Sequence, residues 1–381
     1  MSSLPITEGD RFEAFRVPWA RHVSTRIAGS FPRFWIGCGN LESALLADLL
    51  APVSIQSPIY IAGLARCGST VLLETVAHYG VASHRYRDFP FVFTPYWWNR
   101  FLDRAPRKPA MPKPRVHGDG LVVSSESPEA LEEPLWMAFF PAAHDPRSSQ
   151  VLDASTDHPA FAAFYRNHLR KLLLVRSGDR YACKANYHVA RLEYLLKLFP
   201  DARFVVPIRR PRDHVASLMK QHELFAAGEA RYPRALAQMR ACGHFEFGLD
   251  RRVINLGDDP AVAAVEQLWS EGEEARGWAR YWSQVYGFLS QRLAANAALR
   301  RAALVVRYED LCGQAEETVR RVSEHCQLPI DKSLQAALAG RLHTPTYYRP
   351  TFSAAEAAAI EEETCEVASR FGYRRAEKKA A

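Results

Sequence analysis

Pro58-Ile59-Tyr60-Ile61-Ala62-Gly63-Leu64-Ala65-Arg66-Cys67-Gly68-Ser69-Thr70-Val71-Leu72-Leu73 reads as a buried strand that runs into a glycine-bounded loop and then into a helix. Successive loop N–H groups and the positive end of a helix together cradle an anion. In the nucleotide-triphosphatase pattern G-x-x-x-x-G-K-[ST], a lysine follows the second glycine and reaches the β- and γ-phosphates. Ser69 stands at that lysine position here, and the cation sits inside the loop at Arg66. The stretch therefore specifies a P-loop-like α/β fold, yet points away from ATP hydrolysis and towards another phosphate-bearing donor.

Outward from this segment, short apolar runs alternate with segments of helical period. That alternation is the mark of βαβ units and a central parallel sheet flanked by helices. Strands are expected at 58–63, 151–155, 180–184, 204–209 and 303–308, and helices at 69–79, 159–174, 189–199, 211–225 and 261–300, with an Ala- and Glu-rich helix at 354–364. Trp269, Trp278, Tyr281, Trp282, Tyr286 and Phe288 in the long helical region are read as core. Two irregular stretches, 104–127 and 225–259, interrupt the alternation, and such insertions in α/β enzymes commonly act as lids or substrate loops. Residues 1–381 are read as one domain, with a core at about 58–330 and helical insertions at about 85–150 and 225–260.

Composition sets the broad class. The chain has 381 residues, 48% of them hydrophobic and 24% charged, enough apolar material for a sizeable core. Its formal net charge of +7 favours anionic ligands or surfaces, but the basic residues form no stripe interleaved with aromatics, so nucleic acid is not the expected partner. The first 21 residues lack the apolar segment of a signal peptide, and no apolar run is long enough for a membrane helix. Seven cysteines are widely scattered with no C-x-x-C pair, and are read as reduced thiols of a cytoplasmic enzyme.

A second segment complements the first. In Phe204-Val205-Val206-Pro207-Ile208-Arg209-Arg210-Pro211-Arg212-Asp213-His214-Val215-Ala216-Ser217, a strand ends in arginine, a proline opens a helix, and a serine follows two turns later. Arg209 and Ser217 thus offer a guanidinium and a hydroxyl near a helix N-terminus, a second anion site. The plain alternative is an arginine that caps a neighbouring helix beside a surface Arg212–Asp213 pair. Two phosphate sites at the ends of two strands of one sheet fit a nucleotide phosphorylated at both the 5′ and the 3′ positions.

These motifs resemble those of sulfotransferases that use 3′-phosphoadenosine 5′-phosphosulfate (PAPS), more the bacterial and tyrosylprotein branch than the cytosolic steroid branch. Gly63-Leu-Ala-Arg-Cys-Gly-Ser-Thr70 is similar to the family's G-x-P-R-S-G-T-T loop, with Ala65, Cys67 and Ser69 as departures, and Arg209 with Ser217 matches its 3′-phosphate motif. Lys184 through Leu192, followed by Phe199-Pro-Asp-Ala-Arg203, resembles its K-x-P-x-x-x-x-x-L and F-P-D-A-[RK] segment with Asn186 at the proline position, and Val305-Val-Arg-Tyr-Glu-Asp-Leu311 is similar to V-R-Y-E-D-L. The R-K-G-x-x-G donor clamp of cytosolic members is absent, and the basic residues of 341–349, including Arg349, are its nearest substitutes.

The resemblance implies an in-line transfer of a sulfuryl group from PAPS to a hydroxyl or amine, leaving 3′,5′-adenosine bisphosphate, with a small-molecule, glycan or lipid as acceptor. By analogy with phosphoryl transfer, the protein positions groups and neutralises charge on the leaving phosphate, and arginine, lysine and amides suffice without a metal. It assigns Gly63, Arg66, Cys67, Gly68, Ser69 and Thr70 to the 5′-phosphosulfate, Arg209 and Ser217 to the 3′-phosphate, and Lys184 to the transferred group. Asp88 is the expected general base, with His84 next; Arg85 and Arg87 either pair with Asp88 or meet an acidic acceptor. His117, Asp119, Glu132 and Glu133 lie in the insertion and are read as structural or as further base or sugar-binding candidates. His188 either faces the region of Lys184 or caps a helix. The alternatives are a P-loop kinase or NTPase and an inactive nucleotide-binding module.

Overall fold

A computed structural model describes residues 12–104, 112–118, 121–329, 331–342 and 351–373. Its centre is a four-stranded parallel sheet of β1 (Ile59–Ile61), β2 (Ala182–Lys184), β3 (Arg203–Ile208) and β4 (Ala303–Arg307), in the order β2-β1-β3-β4. All three residues of β1 are buried, as a strand covered on both faces requires. Tyr60 points into one core with Tyr181, Phe204, Trp278, Trp282 and Tyr286. Ile59 and Ile61 point the other way, onto Leu72, Leu73 and Val76 of the helix that follows, the alternation that a pleated strand imposes. Pro207 is tolerated in β3 because β1 pairs only with residues 203–205, so the missing N–H falls beyond that ladder.

In chain order the main helices are α1 (Trp19–Ser30), α2 (Pro32–Leu45), α3 (Ser69–Ala77), α4 (Pro159–Arg176), α5 (Pro211–Arg231), α6 (Pro233–Cys242), α7 (Asp259–Ser270), α8 (Glu274–Ala295) and α9 (Ala354–Arg370). Pro211 and Pro233 each open a helix, where a missing N–H costs nothing. In α8, Trp278, Trp282 and Tyr286 recur every four residues and are fully buried, so this stripe is core. The α8 helix packs along α9 and against α5. Among the described residues no helix is long and apolar enough to cross a membrane.

The structure departs from the sequence expectations at three places. The stretch 151–155 is not a strand: Asp153 accepts from the backbone N–H and hydroxyl of Ser155 at 2.9 and 2.6 Å, while its own N–H donates to Thr156 Oγ1 at 3.0 Å. These local bonds replace a ladder. The stretch 225–259 is largely helical up to Cys242, since α5 runs on to Arg231 and α6 follows at once. Gly228 obscures that continuity in the sequence, but a side chain there would sit 2.6 Å from the ring of Phe15. The expected helix at 261–300 is split at Gly272, whose φ of 82° breaks the regular backbone.

Candidate active site

The loop after β1 carries two residues in the left-handed region, Arg66 at φ 70° and Gly68 at φ 100°. A Cβ at Gly68 would meet the Tyr308 ring at 2.7 Å, and one at Gly63 would meet the Pro207 carbonyl at 2.7 Å, so close approach requires glycine at both positions. Gly68 caps α3 without a side-chain hydrogen bond, as a glycine must, and the amides of a helix's first turn are natural donors to an anion. Burial pushes the Cys67 thiol up to about 11. Cys67 is therefore a packed, protonated thiol. From below, His214 Nε2 donates to the Ala65 carbonyl at 2.7 Å, and burial, with Arg209 and Arg66 nearby, holds this imidazole neutral, down at about 3.

The C-terminal ends of the strands open into a cavity of about 1580 Å³. Single small-molecule sites are commonly ~300–1,000 Å³, so there is room for two reactants. Ala65, Arg66, Gly68, Ser69 and Thr70 line it, as do Lys184, Arg209 and Tyr308 at the ends of β2, β3 and β4. Gly63 and Cys67 are buried beneath that surface, and half-buried Ser217 adjoins it through Arg66. The two anion motifs meet: Arg66 Nε donates to Ser217 Oγ at 3.3 Å, and Arg209 reaches the Arg66 carbonyl at 3.5 Å. The Arg209 guanidinium lies 4.8 Å from the Tyr308 ring centre, while its buried Nε has no hydrogen-bond partner among the described residues.

Three cavity residues were not legible as site residues. Arg115, on the turn of the hairpin formed by Lys113–Pro114 and Val122–Val123, donates to Thr70 Oγ1 at 2.9 Å. Glu129 pairs with Lys184 at 2.8 Å and accepts from the Tyr86 hydroxyl. Burial favours the neutral acid, but Lys184 and Arg115 outweigh it and hold Glu129 ionised, down at about 2. Tyr308 is the third. His117 also lines the cavity, 5.1 Å from the Phe225 ring, and burial with Arg115 and Arg66 nearby pushes its pKa well below the ordinary value.

The expected bases Asp88 and His84 do not line the cavity, and this corrects the sequence reading. Asp88 is completely buried; Arg176 at the end of α4 donates to both its oxygens at 2.6 and 2.8 Å, and Asn99 and the Arg85 amide add bonds at 2.9 Å. A carboxylate so occupied cannot meet an acceptor. His84 is buried with His168 at 3.0 Å and Tyr181 at 3.3 Å, and burial lowers its pKa. Arg85 and Arg87 both pair with Glu126 on the hairpin side. Asp88→Asn is therefore expected to destabilise the fold by about 3 to 5 kcal/mol by stranding the Arg176 charge, read as a lower urea midpoint; a base would instead lose turnover with the midpoint unchanged.

The remaining candidates divide similarly. Glu132 is a buried hub that accepts from Tyr165, Tyr181 and Trp136. Together with Cys183 and His188 it places three ligand-type atoms within 4.8 Å of one another. His188 faces Glu132 at 3.3 Å, inside the core. Glu133 does line the cavity, but it is clasped by Arg191 at 2.8 and 3.0 Å and by His144 at 2.9 Å. Arg341 lines the cavity, whereas Asp119 and 343–349, with Arg349, lie outside the described residues.

A model of the sulfotransferase family matches residues 58–251 of this chain. Among solved structures, sulfotransferase STF9 from Mycobacterium avium is similar at 15% identity and a TM-score of 0.47, covering 87% of this chain and 82% of that one. Sulfotransferase STF1 from Mycobacterium tuberculosis H37Rv is similar at 16% identity and a TM-score of 0.41, covering 96% and 93%. No curated protein sequence matches the chain.

Proposed function

From the premise that this chain belongs to the sulfotransferase family, we propose that its cavity binds PAPS and transfers the sulfuryl group to a hydroxyl or amine of a small-molecule, glycan or lipid acceptor. The observation that carries this reading is the 3.3 Å contact between Arg66 and Ser217, which joins two anion motifs from opposite halves of the chain at one cavity wall. The buried Nε of Arg209, without a hydrogen-bond partner among the described residues, and the N-terminal end of α3 at the cavity wall fit a ligand with negative charge at both ends, since a buried donor without an acceptor is costly. We read 1–381 as one domain built round this cavity.

In this reading the 68–70 amides and hydroxyls with Arg66 hold the 5′ end, and Arg209 with Ser217 holds the 3′-phosphate. PAPS, when bound, supplies a sulfuryl group on a phosphate leaving group. Arg66 and Lys184 neutralise the charge that grows on that phosphate. Glu129, not Asp88, is placed to take the acceptor's proton: it is a cavity carboxylate whose nearest cation is Lys184 at 2.8 Å, the group assigned to the donor, with Arg115 adding a further hold. As Lys184 turns to the donor, the hold on Glu129 weakens and its affinity for a proton rises.

Calorimetric titration with 3′,5′-adenosine bisphosphate tests the reading. Saturable binding that ATP does not displace is expected, together with release of the same product from labelled PAPS. A titration without heat at any concentration, or one in which ATP competes equally, would overturn it.

A further inference from the structure

Seven of the ten large apolar side chains that are at least half exposed among the described residues fall between 19 and 49. On α2, Phe34, Leu41 and Leu45 lie within about 40° of one another around the helix axis, at 100° per residue. Trp19 and Ile27 on α1 and Phe31 between the helices are exposed beside them. Isolated exposed hydrophobics need no explanation, but a contiguous set marks an interaction surface.

The patch is continuous with the cavity mouth. Ring centres run from Phe34 to Trp35 at 5.2 Å, Trp35 to Phe91 at 5.4 Å, Phe91 to Trp98 at 4.6 Å, and Trp98 to exposed Phe101 at 5.6 Å. Phe91 and Trp98 line the cavity, as do Ala20 and Arg21 of α1. Charge on these helices has one sign. Residues 19–49 carry Arg21, Arg26 and Arg33, all exposed, against one exposed acid, Asp48 just beyond α2, and Glu42, which is buried and paired with Lys171 at 2.8 Å.

We propose that α1, α2 and the Phe101 edge dock the protein on an anionic lipid surface, with the cavity mouth opening beside the headgroups. Aromatic and aliphatic side chains flanked by arginine suit the interface of a bilayer, where apolar burial and attraction to anionic lipid add. A second copy of the chain is disfavoured as the occupant, because the arginines would face one another with no exposed acid on these helices to meet them. Docking in this orientation favours acceptors with a polar head and an apolar tail; only that last step rests on the reading of the cavity as the transfer site.

The test is sedimentation of the full chain with vesicles of phosphatidylcholine alone or with roughly one-third phosphatidylglycerol. At least tenfold tighter binding to the anionic vesicles is expected, falling as salt screens the surface. Phe34→Ser with Phe101→Ser should lower that binding about tenfold or more, and Arg26→Glu with Arg33→Glu should lower it more than 25-fold, at about fivefold per arginine removed. Melting temperature confirms that both variants fold. Binding indifferent to lipid charge, or equal in the Phe variant and the parent, would overturn the proposal, as would a dimer on size exclusion that the Phe variant dissolves. Titration with 3′,5′-adenosine bisphosphate is run in parallel: vesicle binding without nucleotide binding would sink the donor assignment and leave the docking face standing.

Discussion

Arg66→Ala is expected to lower kcat/KM by about 10³-fold, at the upper end of what removing one preorganised charge-stabilising donor costs. The residue carries two loads in the proposed reading, since its guanidinium faces the cavity and its Nε is tied to Ser217. Arg66→Lys should recover only a small part, because a point charge cannot satisfy the serine and an anion through one planar fork. The backbone supplies a control. Arg66 sits at φ 70°, a conformation that costs a residue with a Cβ roughly 1–2 kcal/mol, so Arg66→Gly should melt no lower than the parent while being as inactive as Arg66→Ala. Labelled-donor turnover beside a thermal melt separates the two effects. An Arg66→Ala enzyme within tenfold of the parent would remove this arginine from the transfer site.

Glu129→Gln should reduce kcat by about 10²-fold or more, the usual contribution of a positioned base, with 3′,5′-adenosine bisphosphate bound at least as tightly. Tighter binding follows from the ion pair: Lys184 no longer divides its charge between the nucleotide and a carboxylate 2.8 Å away. Because the free enzyme holds Glu129 down at about 2, the carboxylate is ionised throughout the range in which the protein is assayed. The kcat/KM profile should therefore show no acid limb from this group between pH ~5 and 7. His117→Ala, which removes a second base-type side chain of the cavity wall, should cost less than Glu129→Gln. A Glu129→Gln enzyme with the parent's kcat and a dead His117→Ala enzyme would transfer the role to the imidazole.

What could be read from the sequence was what short stretches of chain determine. The β1 loop and the β3 motif are each contained in about fifteen residues, and their strand, turn and helix chemistry is local. The structure puts Arg66, Lys184 and Arg209 at neighbouring strand ends because parallel strands of a βαβ sheet must all finish on the same side. Asp88 was misread because its fate is decided by Arg176, which α4 brings back to it from 88 residues later. Glu129 follows a proline in a stretch with neither helical nor strand period, and only the return of β2 beside it gives it Lys184 as a neighbour. The N-terminal helices escaped notice for a related reason: their exposed Trp19, Phe31, Phe34 and Leu45 blur the polar face by which an amphipathic helix is recognised.

Tyr308 belongs to neither anion motif, yet its ring touches both, lying where Gly68 would carry a side chain and under the Arg209 guanidinium. An aromatic ring is incompressible at this scale, so it works as a stop that holds the Gly68 turn and the Arg209 guanidinium at set positions. In the proposed reading, selection among nucleotides then becomes a matter of length as well as charge, and a donor whose terminal groups are spaced differently is refused even when it carries the same number of negative oxygens. A retuned donor preference would be sought first at this one position, not in the glycines or arginines that make contact.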